Sequence, residues 1–128
     1  MKREEIRVDG LVEPISHFTD AVRAGGFVFV SGIVAVDSDG QLVGPDVVEQ
    51  ARQVYRTMGE VLTAAGCGFA DVVKVTVYLI DIDDRPRINP VRQEVFGDAR
   101  PASTLVEVPR LAVEGAKVEV ECVAVVPS

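Results

Sequence analysis

Asp71-Val72-Val73-Lys74-Val75-Thr76-Val77-Tyr78-Leu79-Ile80 is a run of β-branched and aromatic residues with the composition of a β-strand. Val75, Val77 and Leu79 fall on one face; Lys74, Thr76 and Tyr78 alternate onto the other. One face is strongly apolar and the other mixed. Upstream, Val47, Ala51, Val54, Met58, Val61, Leu62 and Ala65 recur at three- and four-residue spacing, which predicts an amphipathic helix. Asp46 stands as its N-cap, Glu49 completes a capping-box spacing, and Gly66 is a natural C′ residue. Its other face, with Glu49, Gln50, Arg52, Gln53, Arg56 and Glu60, is expected to meet solvent. Downstream, Asp81–Pro86 reads as a turn into a second helix striped by Ile88, Val91, Val95 and Phe96. Gly97-Asp98-Ala99-Arg100-Pro101 stops that helix.

Strands lie further out on both sides. Residues 102–108 and 117–126 read as two closing strands separated by a loop through Pro109 and Gly115. Near the start, Glu5-Ile6-Arg7-Val8 alternates like an edge strand. Phe27–Ser31 and Ile33–Val36 read as two strands with a bend at Gly32, closed by the turn Asp37-Ser38-Asp39-Gly40. The order ββ-α-β-α-ββ favours an α+β fold, with a mixed or antiparallel sheet and two helices on one face. The opposite sheet face is only partly polar, so it is expected to be buried against another subunit.

At 128 residues the chain is expected to form one domain, residues 1–128. With 48% hydrophobic residues it has ample material for a core. Met1-Lys2-Arg3-Glu4-Glu5 is charged with no apolar stretch behind it, and no run is long enough to span a bilayer. No membrane association is expected, and the expected compartment is the cytoplasm. A net charge of −7 repels a phosphate backbone, so nucleic acid is not an expected partner. The cluster Arg85, Arg87, Arg92 and Arg100 reads as a solvated helical face. Cys67 and Cys122 lack CxxC spacing, and His17 is the sole histidine, so neither a disulfide nor a metal site is expected.

Four stretches in order resemble the Rid family of enamine/imine deaminases, also known as YjgF or L-PSP endoribonuclease proteins. They are Pro14–Gly26, with its Pro-x-Ser-His loop and Ala-Gly-Gly; Phe27-Val-Phe-Val-Ser-Gly32; Ala64-Ala-Gly66 through Asp71–Leu79 to Ile88-Asn89; and Pro101-Ala102 with Val118–Ala124. Together they span nearly the whole chain. The resemblance implies a chorismate-mutase-like α+β fold assembled as a homotrimer. Its sheets form an inner barrel, its helices lie outside, and its three clefts sit between subunits. It implies a hydrolase that deaminates an imine or enamine, a small-molecule substrate, and no metal or cofactor.

By the same resemblance, Glu119 corresponds to the family's water-activating glutamate; on the residues alone it could equally point to solvent from an edge strand. Glu121, on the same face, reads as structural. Ser31 and Gly32 would line the cleft floor, where Gly32 permits close backbone approach or merely forms a bulge. Leu105 stands where the family often has a cysteine whose backbone contacts substrate. Asn89 would hold the cleft wall or cap a turn. Phe18 replaces a common tyrosine, keeping the ring and losing the hydroxyl. His17 would contact ligand or sit on the surface.

The chain departs from the family at Ser103. Deaminating members usually read Pro-x-Arg-Ser; here the stretch is Pro101-Ala102-Ser103-Thr104. Arginine offers a carboxylate a bidentate fork, and serine offers one neutral hydrogen bond. Arg100, beyond Pro101, starts from the strand's entrance and is not expected to take that place. The expected substrate is therefore a larger intermediate than the usual small 2-imino acids. The competing reading is a trimer that binds a small metabolite or regulates a partner without catalysis.

Overall fold

The computed structural model describes residues 2–128. Six strands form one sheet: β1 (Arg3–Ile6), β2 (Ala21–Ala24), β3 (Phe27–Ile33), β4 (Val72–Leu79), β5 (Ala102–Glu107) and β6 (Val118–Val125). Their spatial order is β1-β2-β3-β6-β4-β5. All neighbours are antiparallel except β4 and β5, which run parallel. A parallel pair needs a crossover, and the second helix, α2 (Arg85–Phe96), supplies it. The first helix, α1 (Val47–Ala64), joins β3 to β4.

The sheet is mixed and both helices cover one face, as expected. Val28 and Val30 of β3, Val75, Val77 and Leu79 of β4, and Val118, Val120, Cys122 and Ala124 of β6 are buried in one core. From α1 they meet Val47, Ala51, Val54, Met58, Val61 and Leu62; from α2, Ile88, Val91 and Phe96. Tyr55, Phe69 and Phe96 close one end as a triangle of edge-on rings, with two centroid separations of 5.7 Å and one of 6.5 Å. Asp46 caps α1 by accepting from the Glu49 amide at 3.2 Å, and Gly66 past its end has φ +83°.

Four expectations need correction. The chain begins with three strands rather than two, because Ala21–Ala24 pairs with β3 through a two-residue Gly25-Gly26 loop. Gly25 takes φ +60°, as the first residue of a type II′ hairpin does. The edge strand lies at Arg3–Ile6, two residues earlier than its alternation suggested. No separate strand forms over 33–36: Ile33 is the last residue of β3, and Val36 makes one isolated bridge with Leu42.

The fourth correction concerns Gln50, which is fully buried rather than solvent-facing. Its Nε2 donates to the carbonyls of Gly44 (2.8 Å) and Gly115 (3.1 Å), and its Oε1 accepts from the Lys117 amide at 2.8 Å. It is polar because it satisfies the backbone of the two loops flanking it.

The sheet face away from the helices is not fully covered. Phe27, Phe29, Val73 and Val125 are 47%, 48%, 44% and 37% exposed. No helix among the described residues is long and apolar enough to cross a membrane.

Candidate active site

β3 and β6 pair regularly from Phe27↔Val125 to Val30↔Cys122, then shift register before Ile33↔Val120. The shift centres on Ser31 and Gly32. A Cβ at position 32 would collide with the Glu119 carboxylate, which lies directly over this backbone. Glycine here is both bulge and close approach, so the two alternatives for Gly32 describe one geometry.

The displaced strand opens a pocket of about 430 Å³ whose lining includes Phe18, Ser31, Gly32, Val61 and Glu119. Its outer wall is the loop before β2. Asp20 holds that loop by accepting from the Val8 amide at 2.8 Å and from Arg7 at 2.6 Å. Arg7 also donates to the carbonyls of Leu11 and Val12. The hydrogen bond it donates to Asp20 raises the Arg7 pKa. Ser31 adds a tie, its hydroxyl donating to the Thr19 carbonyl at 2.6 Å.

Glu119 is half-buried and has no hydrogen-bond partner among the described residues. Burial pushes its carboxyl pKa up, and the neighbouring Glu121 charge adds to the rise. Glu121 itself is engaged: the Tyr78 hydroxyl donates to it. That bond, with burial, pushes the Tyr78 phenol up to about 12. Glu121 is thus tied within the sheet to Tyr78, and its charge adds the smaller share of the rise at Glu119.

The remaining residues lie elsewhere. Ser103 pairs in register with Val75, and Leu105 with Val77, so both point to the helix-covered side of edge strand β5. Glu119 pairs with Tyr78 and points to the opposite side. Asn89 is exposed on α2. His17 is exposed and does not line the pocket. Within one chain, then, Phe18, Ser31, Gly32 and Glu119 line one pocket, Ser103 and Leu105 lie across the sheet on the helix side of β5, and Asn89 stands apart on α2.

One residue beside Ser103 was not anticipated. Arg92 of α2 donates from Nη2 to the Ser103 hydroxyl at 2.7 Å. Arg100 is exposed, and its side chain makes no hydrogen bond among the described residues. Arg87, from the same basic cluster, is engaged by Asp46 at 2.7 Å. Spacing alone could not separate Arg92 from the rest of that cluster.

A family model described as endoribonuclease L-PSP matches residues 10–126. The chain belongs to the endoribonuclease L-PSP family. Among its L-PSP relatives, a RutC family protein of Pyrococcus horikoshii is 38% identical over 123 residues, covering 95% of this chain and 97% of the relative. The human 2-iminobutanoate/2-iminopropanoate deaminase is 39% identical over 112 residues, covering 87% of this chain and 81% of the relative. A crystal structure of a putative endoribonuclease from Thermotoga maritima covers the whole of both chains with TM-score 0.92 and 34% identity.

Proposed function

We propose that this L-PSP protein is a hydrolase that deaminates an imine or enamine, with Glu119 moving the protons. A half-buried carboxyl with a raised pKa and no internal partner, held against a glycine backbone in a pocket, carries this reading. The relatives named as iminobutanoate/iminopropanoate deaminases support the reaction class.

In the proposed reaction the Glu119 carboxylate takes a proton from water as the water oxygen bonds to the C=N carbon. The resulting carbinolamine receives that proton on nitrogen. The Glu119 carboxylate then takes the hydroxyl proton and passes it to nitrogen as the C–N bond breaks, so the oxygen's electron pair forms the carbonyl and the nitrogen leaves as ammonia. A carboxyl whose pKa is raised by burial is a stronger base toward water than an ordinary carboxylate, and as the acid it can return the proton to nitrogen. No metal or cofactor enters any of these steps. The pocket, at about 430 Å³, favours a substrate larger than the smallest 2-imino acids, with the Phe18 ring as an apolar contact.

The assembly we propose is a homotrimer with clefts between subunits. Two features support it: the exposed apolar face of Phe27, Phe29, Val73 and Val125, and the division of the site residues across the sheet. Contact between copies would bring one chain's Glu119 group to another's β5 edge.

The test is hydrolysis of 2-imino acids released in situ by an amino-acid oxidase. Glu119→Gln should lower kcat by about 10²–10⁴-fold. Gly32→Ala, by displacing the carboxylate, should give a loss of the same kind with the acid still present. Full activity in Glu119→Gln would overturn the reading, and ligand retention without any turnover in the parent protein would favour a binding role.

A further inference from the structure

We infer that the pocket over Glu119 selects against a carboxylate, and that its substrate is the imine of an apolar amine, uncharged or carrying the positive charge of an iminium. The inference rests on the hydrolytic reading for its reaction and on the pocket alone for the charge it accepts.

The charged side chains that line the pocket are all acidic: Glu13 at the rim, Asp20 in the outer wall and Glu119 within. No lysine, arginine or histidine lines it among the described residues. Arg7, the nearest cation in the wall, is already spent. Its guanidinium meets Asp20 at 2.6 Å and Glu13 at 3.4 Å, and its remaining bonds go to the Val8, Leu11 and Val12 carbonyls. Glu119 has no cation within ion-pair distance among the described residues, and Glu121 follows it on the same face of β6. A substrate carboxylate placed beside Glu119 would therefore meet like charge with nothing to offset it.

The strands beside β6 do not supply the missing cation. On β5 the residues facing the same side as Glu119 are Ala102, Thr104 and Val106, none of them charged. Arg92 donates to Ser103, which faces the helix side. On β4, Lys74 does face the side of Glu119, but its Nζ is held by Thr104 and it pairs with Val123, four residues beyond Glu119.

What the pocket offers instead is apolar depth. Leu11, Pro14, Ile33, Val36 and Val113 line it, and Val61 of α1, 1% exposed, lies at its inner end. A hydrocarbon chain fits such walls without leaving a polar group unpaired, and a carboxylate does not. An iminium is the form of an imine that water attacks most readily, and its positive charge is complementary to an unpaired carboxylate. From an iminium the steps given above yield a carbonyl compound and ammonium, the extra proton leaving on nitrogen.

Binding isolates charge from turnover. Calorimetry of the whole protein at neutral pH with 3-methylbutylammonium, 4-methylpentanamide and 4-methylpentanoate varies the charge on one branched skeleton. The ammonium should bind at least about tenfold more tightly than the carboxylate, with the amide between them. Glu119→Gln keeps the shape and removes the charge, so it should bring ammonium and amide to within about threefold of each other. In turnover, the imine released from 3-methylbutylamine by an amine oxidase should show a kcat/KM at least about tenfold above that of the imine released from leucine by an amino-acid oxidase. Equal or tighter binding of the carboxylate than of the ammonium overturns the inference, and so does an equal or higher kcat/KM for the leucine imine; in the latter case the hydrolytic reading still stands. Preference for the ammonium with turnover of neither imine leaves the charge selection standing and removes the hydrolytic reading.

Discussion

The two groups of site residues are built on different physical terms. Around Glu119 the chain is tightly determined: β3 and β6 are central strands, Gly32 is constrained by the carboxylate above it, and the Arg7–Asp20 clamp fixes the wall. Around Ser103 the strand is the sheet's edge, with Ala102, Ser103, Thr104, Val106 and Glu107 all exposed. Moving protons demands a carboxyl whose burial and neighbours are set in advance. Holding a substrate demands only that matching groups meet it. On the proposed reading the central half carries chemistry and the edge half carries recognition, so the edge can change residues, as at Ser103, without cost to the core.

That contrast breaks most visibly at Gln50. Gln50→Ala leaves two carbonyls and the Lys117 amide without partners at the entrance to β6. It should lower the unfolding free energy by about 3 kcal/mol, read by urea titration. A loss below about 1 kcal/mol would show that this half is less determined than described.

A smaller effect sharpens the electrostatics. Folding raises the Glu119 pKa, so over the window above its ordinary value of 4.5 the folded state binds more protons than the unfolded chain. The stability contribution is fully present below that value and is lost as pH rises through the folded pKa. The parent's stability relative to Glu119→Gln should therefore fall with rising pH, by no more than about 1.4 kcal/mol per pH unit. Denaturant midpoints of the two proteins across acid to neutral pH give the sign; a rising difference would contradict the burial of this carboxyl.

The smallest effect belongs to the edge. Lys74 Nζ donates to Thr104 Oγ1 at 2.5 Å on an exposed strand. Thr104→Ala should change stability by less than about 0.5 kcal/mol, since water replaces the lost partner. A larger cost would erase the distinction between the two halves.

Much of the architecture was legible in the residues. The α1 stripe and the β4 alternation are long and regular, and both describe what is buried. β2 was not legible because four residues between polar loops carry no period of their own; a hairpin turn and a pairing partner make them a strand. Gln50 was misread because side-chain polarity does not reveal that two distant loops need its amide. Ser31, Gly32, Phe18 and Glu119, named from the family resemblance, line one pocket. That Ser103 and Glu119 face opposite sides was not legible, since their relative parity depends on β4 lying between β5 and β6. Arg92 was hidden by its equally basic neighbours.

The strand order also has a consequence in time. β6 is the last of the six strands in the sequence, yet it lies between β3 and β4. A growing chain emerging from the ribosome holds β1–β3 with α1, and β4–β5 with α2, as two pieces whose apolar edges have no partner. Only when Val118–Val125 emerges can it insert and join them. Because Glu119 rides on that strand, the residue proposed to do the chemistry arrives with the one that completes the core, and no partly made molecule presents an assembled site.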